Sequence, residues 1–141
     1  MDFNTAEEML ALCKKENKPI SEIMRLREII YGEDDAQTVD ARMRKSLGIM
    51  RNSVHKPLNE IVRSMGGMIG GEAAKLEKRR AEGKSICGNV LTKALIYSQA
   101  VLEMNASMGV IVAAPTAWSA GVVPSVLLHL KKNSISPKTS L

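Results

Sequence analysis

"SICGNVLTKALIYSQAVLEMNASMG", residues 85–109, decides the fold class. Val90, Leu91, Leu95, Ile96 and Leu102 recur at helical intervals, which predicts a long helix with those five side chains as its buried set. Ala100, Ala106 and the serines keep its later turns slim, so a neighbouring element can approach closely. On its C-terminal side follows "ASMGVIVAAPTAWSAGVVPS", residues 106–125, which holds no carboxylate, no base and no histidine. It places Trp118, the only tryptophan, among small and aliphatic residues, with Thr116 and Ser119 as hydroxyls. "GVVPSVLLHLKK" then resumes a helix with Pro124 near its first turn, where a missing N–H costs nothing.

On the N-terminal side lies "RSMGGMIGGEAAKLEK", residues 63–78. Gly66, Gly67, Gly70 and Gly71 form two pairs, and a helix is expected to open behind them at Glu72. Glycines permit positive φ and close backbone approach, and free N–H groups at a helix start suit an anion. The spacing is neither a phosphate-binding loop of the Gly-Lys-Ser/Thr type nor a dinucleotide fingerprint. Further upstream, "TAEEMLALCKKEN" offers Thr5 and Glu8 as a capping box. Met9, Leu10, Leu12 and Cys13 fall on one side of that helix, so Cys13 reads as a small buried hydrophobe. Asn17 and Pro19 stop it, and "SEIMRLREIIYG" starts a second helix with Ile23, Met24, Leu26 and Ile30 inward and Gly32 at its end. Residues 35–62 continue the pattern through Val39, Met43, Leu47 and Met50, with Pro57 expected to kink or break the helix at about His55. His55, flanked by Arg51 and Lys56, reads as a solvated histidine at a helix end.

The predicted fold is therefore mostly α, with Gly-rich and Ala/Ser/Thr-rich loops between helices. At 141 residues the chain holds one domain. Only 3% of residues are aromatic, so the core must come from aliphatic side chains and the nine methionines. The net charge of +5 raises nucleic-acid binding as a possibility. However, the densest basic stretch, Lys75 to Lys84, is interleaved with Glu77 and Glu82 and holds no aromatic ring. It reads as a solvated helix, and no nucleic-acid partner is expected. Residues 104–130 have the length of a membrane span, but Pro115, Pro124 and several polar side chains interrupt them. They read as a buried segment of a cytoplasmic protein, with no membrane partner. Asp2, Glu7 and Glu8 stand where a signal peptide would be basic and then apolar. Cys13 and Cys87 are far apart and give no disulfide framework or zinc spacing.

On these residues alone, Thr116, Ser119, Gly121 and the neighbouring amides could hydrogen-bond a carboxylate or a small polar substrate. They cannot move a proton well near neutral pH. A tightly packed helix junction accounts for the same composition.

"EMNASMGVIVAAPTA-x-SAGVVPSVLLHLK", together with "SMGGMIGGEAAKL" and the opening "AEEMLALCKKENKPISEIM", resembles the N-terminal part of the alpha chain of iron–sulfur-dependent L-serine dehydratases. The resemblance covers nearly the whole chain. It implies an L-serine ammonia-lyase, which converts L-serine to pyruvate and ammonia without pyridoxal phosphate, in amino-acid catabolism and gluconeogenesis. It implies a four-iron four-sulfur (4Fe-4S) cluster, one iron of which acts as Lewis acid on the substrate hydroxyl. By position, it assigns substrate-binding roles to Gly67, Gly70 and Gly71 and to Thr116, Ala117, Ser119, Ala120 and Gly121. Asn105 belongs to the same motif. A beta chain and a homo-oligomer are further partners that the resemblance implies.

Residues 1–132 then correspond to the N-terminal part of the catalytic domain, and 133–141, "NSISPKTSL", to a disordered tail outside the family pattern. The family's cluster cysteines lie downstream of the signature, so no catalytic or metal-ligating residue is assigned here. The expectation is a truncated chain, inactive alone and not binding the cluster by itself; a non-catalytic helical interaction module is the alternative. Trp118 stands where the family has glycine. An indole in a packed substrate loop is expected to cost about 1–3 kcal/mol.

Overall fold

Helix-forming periodicity and caps account for the architecture of the computed structural model, which describes residues 2–134, with side chains through residue 129. Six helices and no strand occur among these residues: α1 (Ala6–Glu16), α2 (Ile20–Gly32), α3 (Ala36–Asn59), α4 (Glu72–Ala81), α5 (Gly88–Ala106) and α6 (Val122–Ser134). The mostly α expectation holds. Of the tail expected at 133–141, residues 135–141 lie outside the described residues. The chain divides into two units, residues 1–45 and 46–141, with the division inside α3.

In the first unit α1 opens with the capping box read from the sequence. The Glu8 N–H donates to the Thr5 hydroxyl at 3.2 Å, and the Glu8 carboxylate accepts the Thr5 N–H in return. Two N–H groups that the first turn leaves without helical partners are thereby satisfied. Thr5→Ala is expected to lose about 1 kcal/mol of α1 stability, measured as faster amide exchange across the helix. Asn17 ends α1 in the left-handed conformation, φ 51°, and the Lys18 N–H donates to the Cys13 carbonyl. Arg25 on α2 forms a forked pair with Asp40 on α3, at 2.7 and 2.9 Å, which holds the Asp40 carboxyl below its usual range. Arg27 lies over the rings of Phe3 and Tyr31.

The apolar sides assigned to these helices need correction. Only Ile23 is fully buried on α2, while Met24 and Ile30 are exposed; α1 buries no residue completely, and Cys13 is half-buried. Met43 of α3 is 69% exposed. Too few elements surround these helices within the described residues to cover both flanks of each stripe. The break expected at His55 is absent as well. Pro57 sits buried in the last turn of α3, so its missing N–H costs a single helical bond, and the helix continues to Asn59. His55 is exposed, as expected, but stands before the helix end with its ring edge-on to Tyr97, 6.3 Å between centroids.

The second unit is built around α5. Val54 from α3, Ile96, Tyr97 and Val101 from α5, and Ala120 form its core, with Leu58, Ile111 and Leu128 packed against them. Both α4 and α6 pack on α5. The buried set of α5 is Ile96, Tyr97, Ala100, Val101, Glu103 and Met104. Of the five predicted side chains only Ile96 is buried; Val90, Leu91, Leu95 and Leu102 are exposed. At spacings of four and seven, Leu91, Leu95 and Leu102 share one stripe, on the side of the helix opposite Ala100. Ser98, seven residues after Leu91 and four before Leu102, stands on the leucine stripe, and its small side chain lets a neighbour approach there. A Cβ on Gly121 would lie 2.6 Å from the Ser98 Oγ and 3.0 Å from the Ser98 carbonyl.

The α4–α5 pair is clasped by charge. Glu77 accepts two bonds from the Arg80 guanidinium, each at 2.9 Å, and one from the Lys93 ammonium at 2.6 Å. Arg80 continues to Asn89 at 2.6 Å, and Lys93 lies over the Tyr97 ring. Of the basic stretch, Arg80 pairs with Glu77 and Lys84 with Glu82, the two acids interleaved in it.

Candidate functional site

Two loops, 60–71 and 107–121, flank α5 and carry every residue assigned to substrate except Asn105, which belongs to α5 itself. The first loop is closed by its own backbone. The Ser64 N–H donates to the Ile69 carbonyl at 2.8 Å, the Ile69 N–H to the Ser64 hydroxyl at 3.1 Å, and the Gly67 N–H to the Ser64 carbonyl at 2.9 Å. Gly67, Gly70 and Gly71 all take positive φ, 68°, 150° and 91°, which explains glycine at each position. Gly71 is the residue before α4, which opens at Glu72 as the sequence predicted.

The N–H groups at the start of α4 are taken by carboxylates of the chain. Glu103, 1% exposed on α5, accepts the Gly71 N–H at 3.0 Å and the Ala73 N–H at 2.6 Å. Glu72 accepts the Gly70 N–H at 2.7 Å. The bond from its own N–H, then that from Gly70, and a hydrogen bond with the Glu103 carboxyl hold the Glu72 carboxyl below its usual range. The anion position expected behind the glycines is therefore filled from within. All three assigned glycines spend their amides on the fold, and the loop amides left open are those of Ile61, Val62, Arg63, Met65, Gly66 and Met68.

In the second loop Ser119 is the hub. Its hydroxyl donates to the Ala114 carbonyl at 2.9 Å and accepts the Thr116 N–H at 3.2 Å. The Ser119 N–H reaches back to the Thr116 hydroxyl at 3.3 Å. The bond between Ala114 and Pro115 is cis. The exposed Thr116 hydroxyl keeps a proton that can point to the Ser119 oxygen, 3.1 Å away, or outward. Ala120 and Gly121 are buried against α5, whereas Ala117 and Asn105 are exposed. Both loops are thus anchored on α5, one through the Glu103 hydrogen bonds and one through Ala120, which packs with Ile96, Tyr97 and Val101. No hydrogen bond joins the Thr116–Ser119 turn to the glycine loop among the described residues.

Glu103 went unread in the sequence, although a signal was present. It follows Ile96 and Ala100 at intervals of four and three, which places a carboxylate on a buried stripe. Such a group needs strong donors, and the glycine loop supplies them.

Two expectations fail here. Residues 104–130 were read as a buried segment, yet Met108, Val110, Trp118, Val122 and Leu127 are exposed. The loop covers α5 from one side and no described element covers the loop. The cost assigned to Trp118 is also absent, because the indole is 93% exposed and its φ is not positive. Trp118→Gly is expected to change unfolding free energy by no more than about 0.5 kcal/mol, checked by denaturant titration. Its loss should remove an emission already typical of an indole in water.

A cluster requires three or four cysteine thiolates, and the chain has two. Cys13 is half-buried on α1 in the first unit, and Cys87 is exposed beside α5 in the second. No group of three or more potential metal ligands occurs among the described residues. These residues do not fit an iron–sulfur cluster.

The family described as serine dehydratase alpha chain matches residues 12–140, a span that includes both loops. The chain belongs to that family. Among similar proteins, a "Probable L-serine dehydratase, alpha chain" of Bacillus subtilis is 36% identical over 130 residues, covering 92% of this chain and 43% of the relative. The "L-serine dehydratase, alpha chain" of Peptoniphilus asaccharolyticus is 33% identical over 89% of this chain and 43% of the relative. An "L-serine dehydratase" of Helicobacter pylori is 34% identical over 94% of this chain and 29% of its own length. This serine dehydratase alpha-chain member thus spans less than half the length of these relatives. No solved structure matches it. Among its described residues no helix is long and apolar enough to cross a membrane.

Proposed function

We propose that this chain carries the substrate-binding loops of a cytoplasmic L-serine ammonia-lyase, the enzyme that forms pyruvate and ammonia from L-serine. The observation that carries the proposal is the family match over both loops, in relatives named L-serine dehydratase. The Thr116–Ser119 turn offers an outward hydroxyl, and the open amides of Met65, Gly66 and Met68 lie in the other loop; both suit a small zwitterion that must be oriented, not ionised. Gly67, Gly70, Gly71, Ala120 and Gly121 shape the backbone on which these donors stand, and Asn105 is exposed in the last turn of α5. A 4Fe-4S cluster would supply the Lewis acid from protein outside these residues, which hold no ligand set for it, with a beta chain or further copies completing the assembly. The chain alone is inactive on this account.

The test mixes the full chain with the part of the Bacillus subtilis alpha chain that its match does not cover, under anaerobic cluster reconstitution. Pyruvate should form from L-serine in the mixture and not with either part alone. Absence of any L-serine-dependent amide shift at Thr116, Ser119 or Gly66 in the isolated chain would count against the binding role. The exposed stripe of Leu91, Leu95 and Leu102 favours a second reading, a non-catalytic helical module that docks a partner. That reading expects a stable complex with no response to serine.

A further inference from the structure

We infer that Glu103 is a positioning residue: its carboxylate fixes the glycine loop on α5 in the conformation that receives L-serine, an inference that rests on the serine-binding reading above. Glu103 touches no open position of either loop, being 1% exposed. It grips two amides that lie 32 and 30 residues earlier in the chain, at 3.0 and 2.6 Å. These are the only backbone amides of the glycine loop and the first turn of α4 that donate to α5 among the described residues, and the Glu72 carboxyl group meets that of Glu103 as well. Asn105 follows two residues later on the same helix. One carboxylate therefore sets the placement of the glycine loop relative to the NASMG end of α5.

The chemistry requires a group with two acceptor oxygens. Each oxygen takes one N–H, and a bond from an amide to a carboxylate is roughly twice as strong as one between neutral partners. A glutamine would present its NH₂ to one of the two donors, leaving that N–H opposed and buried. An aspartate keeps both oxygens but is one methylene shorter, so it can hold one amide well and the other poorly. Because Gly67, Gly70 and Gly71 already spend their amides internally, the loop's capacity for a ligand depends on its open amides, those of Met65, Gly66 and Met68 among them, being held where they are.

The experiment uses the full 141-residue chain and its E103Q and E103D variants. Amide exchange and L-serine titration are followed residue by residue by NMR. In E103Q, exchange at Gly71 and Ala73 should quicken at least tenfold and the L-serine Kd should rise at least tenfold, while Ile96 to Val101 keep their protection. E103D should recover part of both. E103Q binding L-serine within twofold of the unaltered chain overturns the inference while leaving the serine reading intact. An unaltered chain that ignores L-serine overturns the reading, and with it the substrate role of Glu103. The exchange data then still report whether Glu103 anchors the loop. Loss of protection across Ile96–Val101 in both variants makes Glu103 a core residue only and also overturns the assignment.

Discussion

Gly70→Ala is expected to destabilise the second unit by about 3 kcal/mol, the largest effect of any single methyl group added to the glycine loop. Gly70 holds φ at 150°, a conformation that residues with a Cβ rarely adopt. The added Cβ would stand 2.2 Å from the Val62 carbonyl oxygen and 3.1 Å from the Arg63 Cα. Both obstacles are backbone, so no rotamer change relieves them. Val62 and Arg63 cannot retreat freely, because the neighbouring Ser64 is bonded to Ile69 from both its backbone and its side chain. Two other positions in the same loop serve as controls. Gly67→Ala meets no atom within 4 Å but keeps φ at 68°, so strain alone should cost about 1 kcal/mol. Gly66→Ala meets nothing and has no positive φ, and should fall within about 0.5 kcal/mol of the unaltered chain. Urea midpoints read by far-ultraviolet circular dichroism should rank the three in that order. A Gly70→Ala variant no worse than Gly67→Ala would mean that the loop takes another shape.

The parts of this architecture that were legible in sequence are those with a local cause. Thr5 and Glu8 satisfy each other within four residues, Asn17 turns the chain by its own conformation, and the glycine pairs are followed by a helix at Glu72. The faces of the helices were not legible, and α5 shows why. Leu91, Leu95 and Leu102 lie on one side, with Ile96, Tyr97, Val101 and Met104 on another, so the helix is apolar nearly all round. Periodicity then cannot select a buried face, and a helix of that kind is at home inside a larger core. The chain spans less than half the length of its relatives, which agrees with leucines left uncovered on α5 and valine and leucine left uncovered on α6. Tertiary contacts bury the side with Ile96, Ala100 and Val101, while Ser98, on the leucine stripe, admits Gly121.

The candidate site divides the same way. The resemblance located both loops and both are anchored on one helix, but the physical roles within them follow from hydrogen bonds that no motif displays. Ser119 organises its own turn, the assigned glycines spend their amides on the fold, and Glu103 fills the helix start that composition offered to a ligand. Trp118 illustrates the converse. An exchange of indole for glycine looks costly when the loop is imagined as packed, and is tolerated where the side chain projects into water.

The pH dependence of stability should be dominated by Glu77. Its carboxyl is brought from 4.5 to about 2, first by the forked bond from Arg80 and then by Lys93, against a partial loss of hydration that acts the other way. Because the folded value lies below the unfolded one, folding releases the proton between the two values. The stabilisation is complete above about pH 5, declines as pH falls through 4.5 toward 2, and is gone near pH 1. A shift of this size corresponds to roughly 3 kcal/mol, at about 1.4 kcal/mol per unit. Glu77 keeps 30% of its side-chain surface in contact with water, so screening should reduce the observed share to about 1–2 kcal/mol. Glu77→Gln should therefore lower unfolding free energy by about that amount at pH 7 and by almost nothing near pH 1, giving a flatter acid limb in paired denaturant titrations. High salt should narrow the gap between the two proteins at pH 7, since exposed parts of the clasp are screened first. The helix pair itself should persist in the variant, because Ile96, Tyr97 and Ala73 remain buried around it. Equal acid limbs for the two proteins would instead mean that Arg80 and Lys93 hold Glu77 no better than water does.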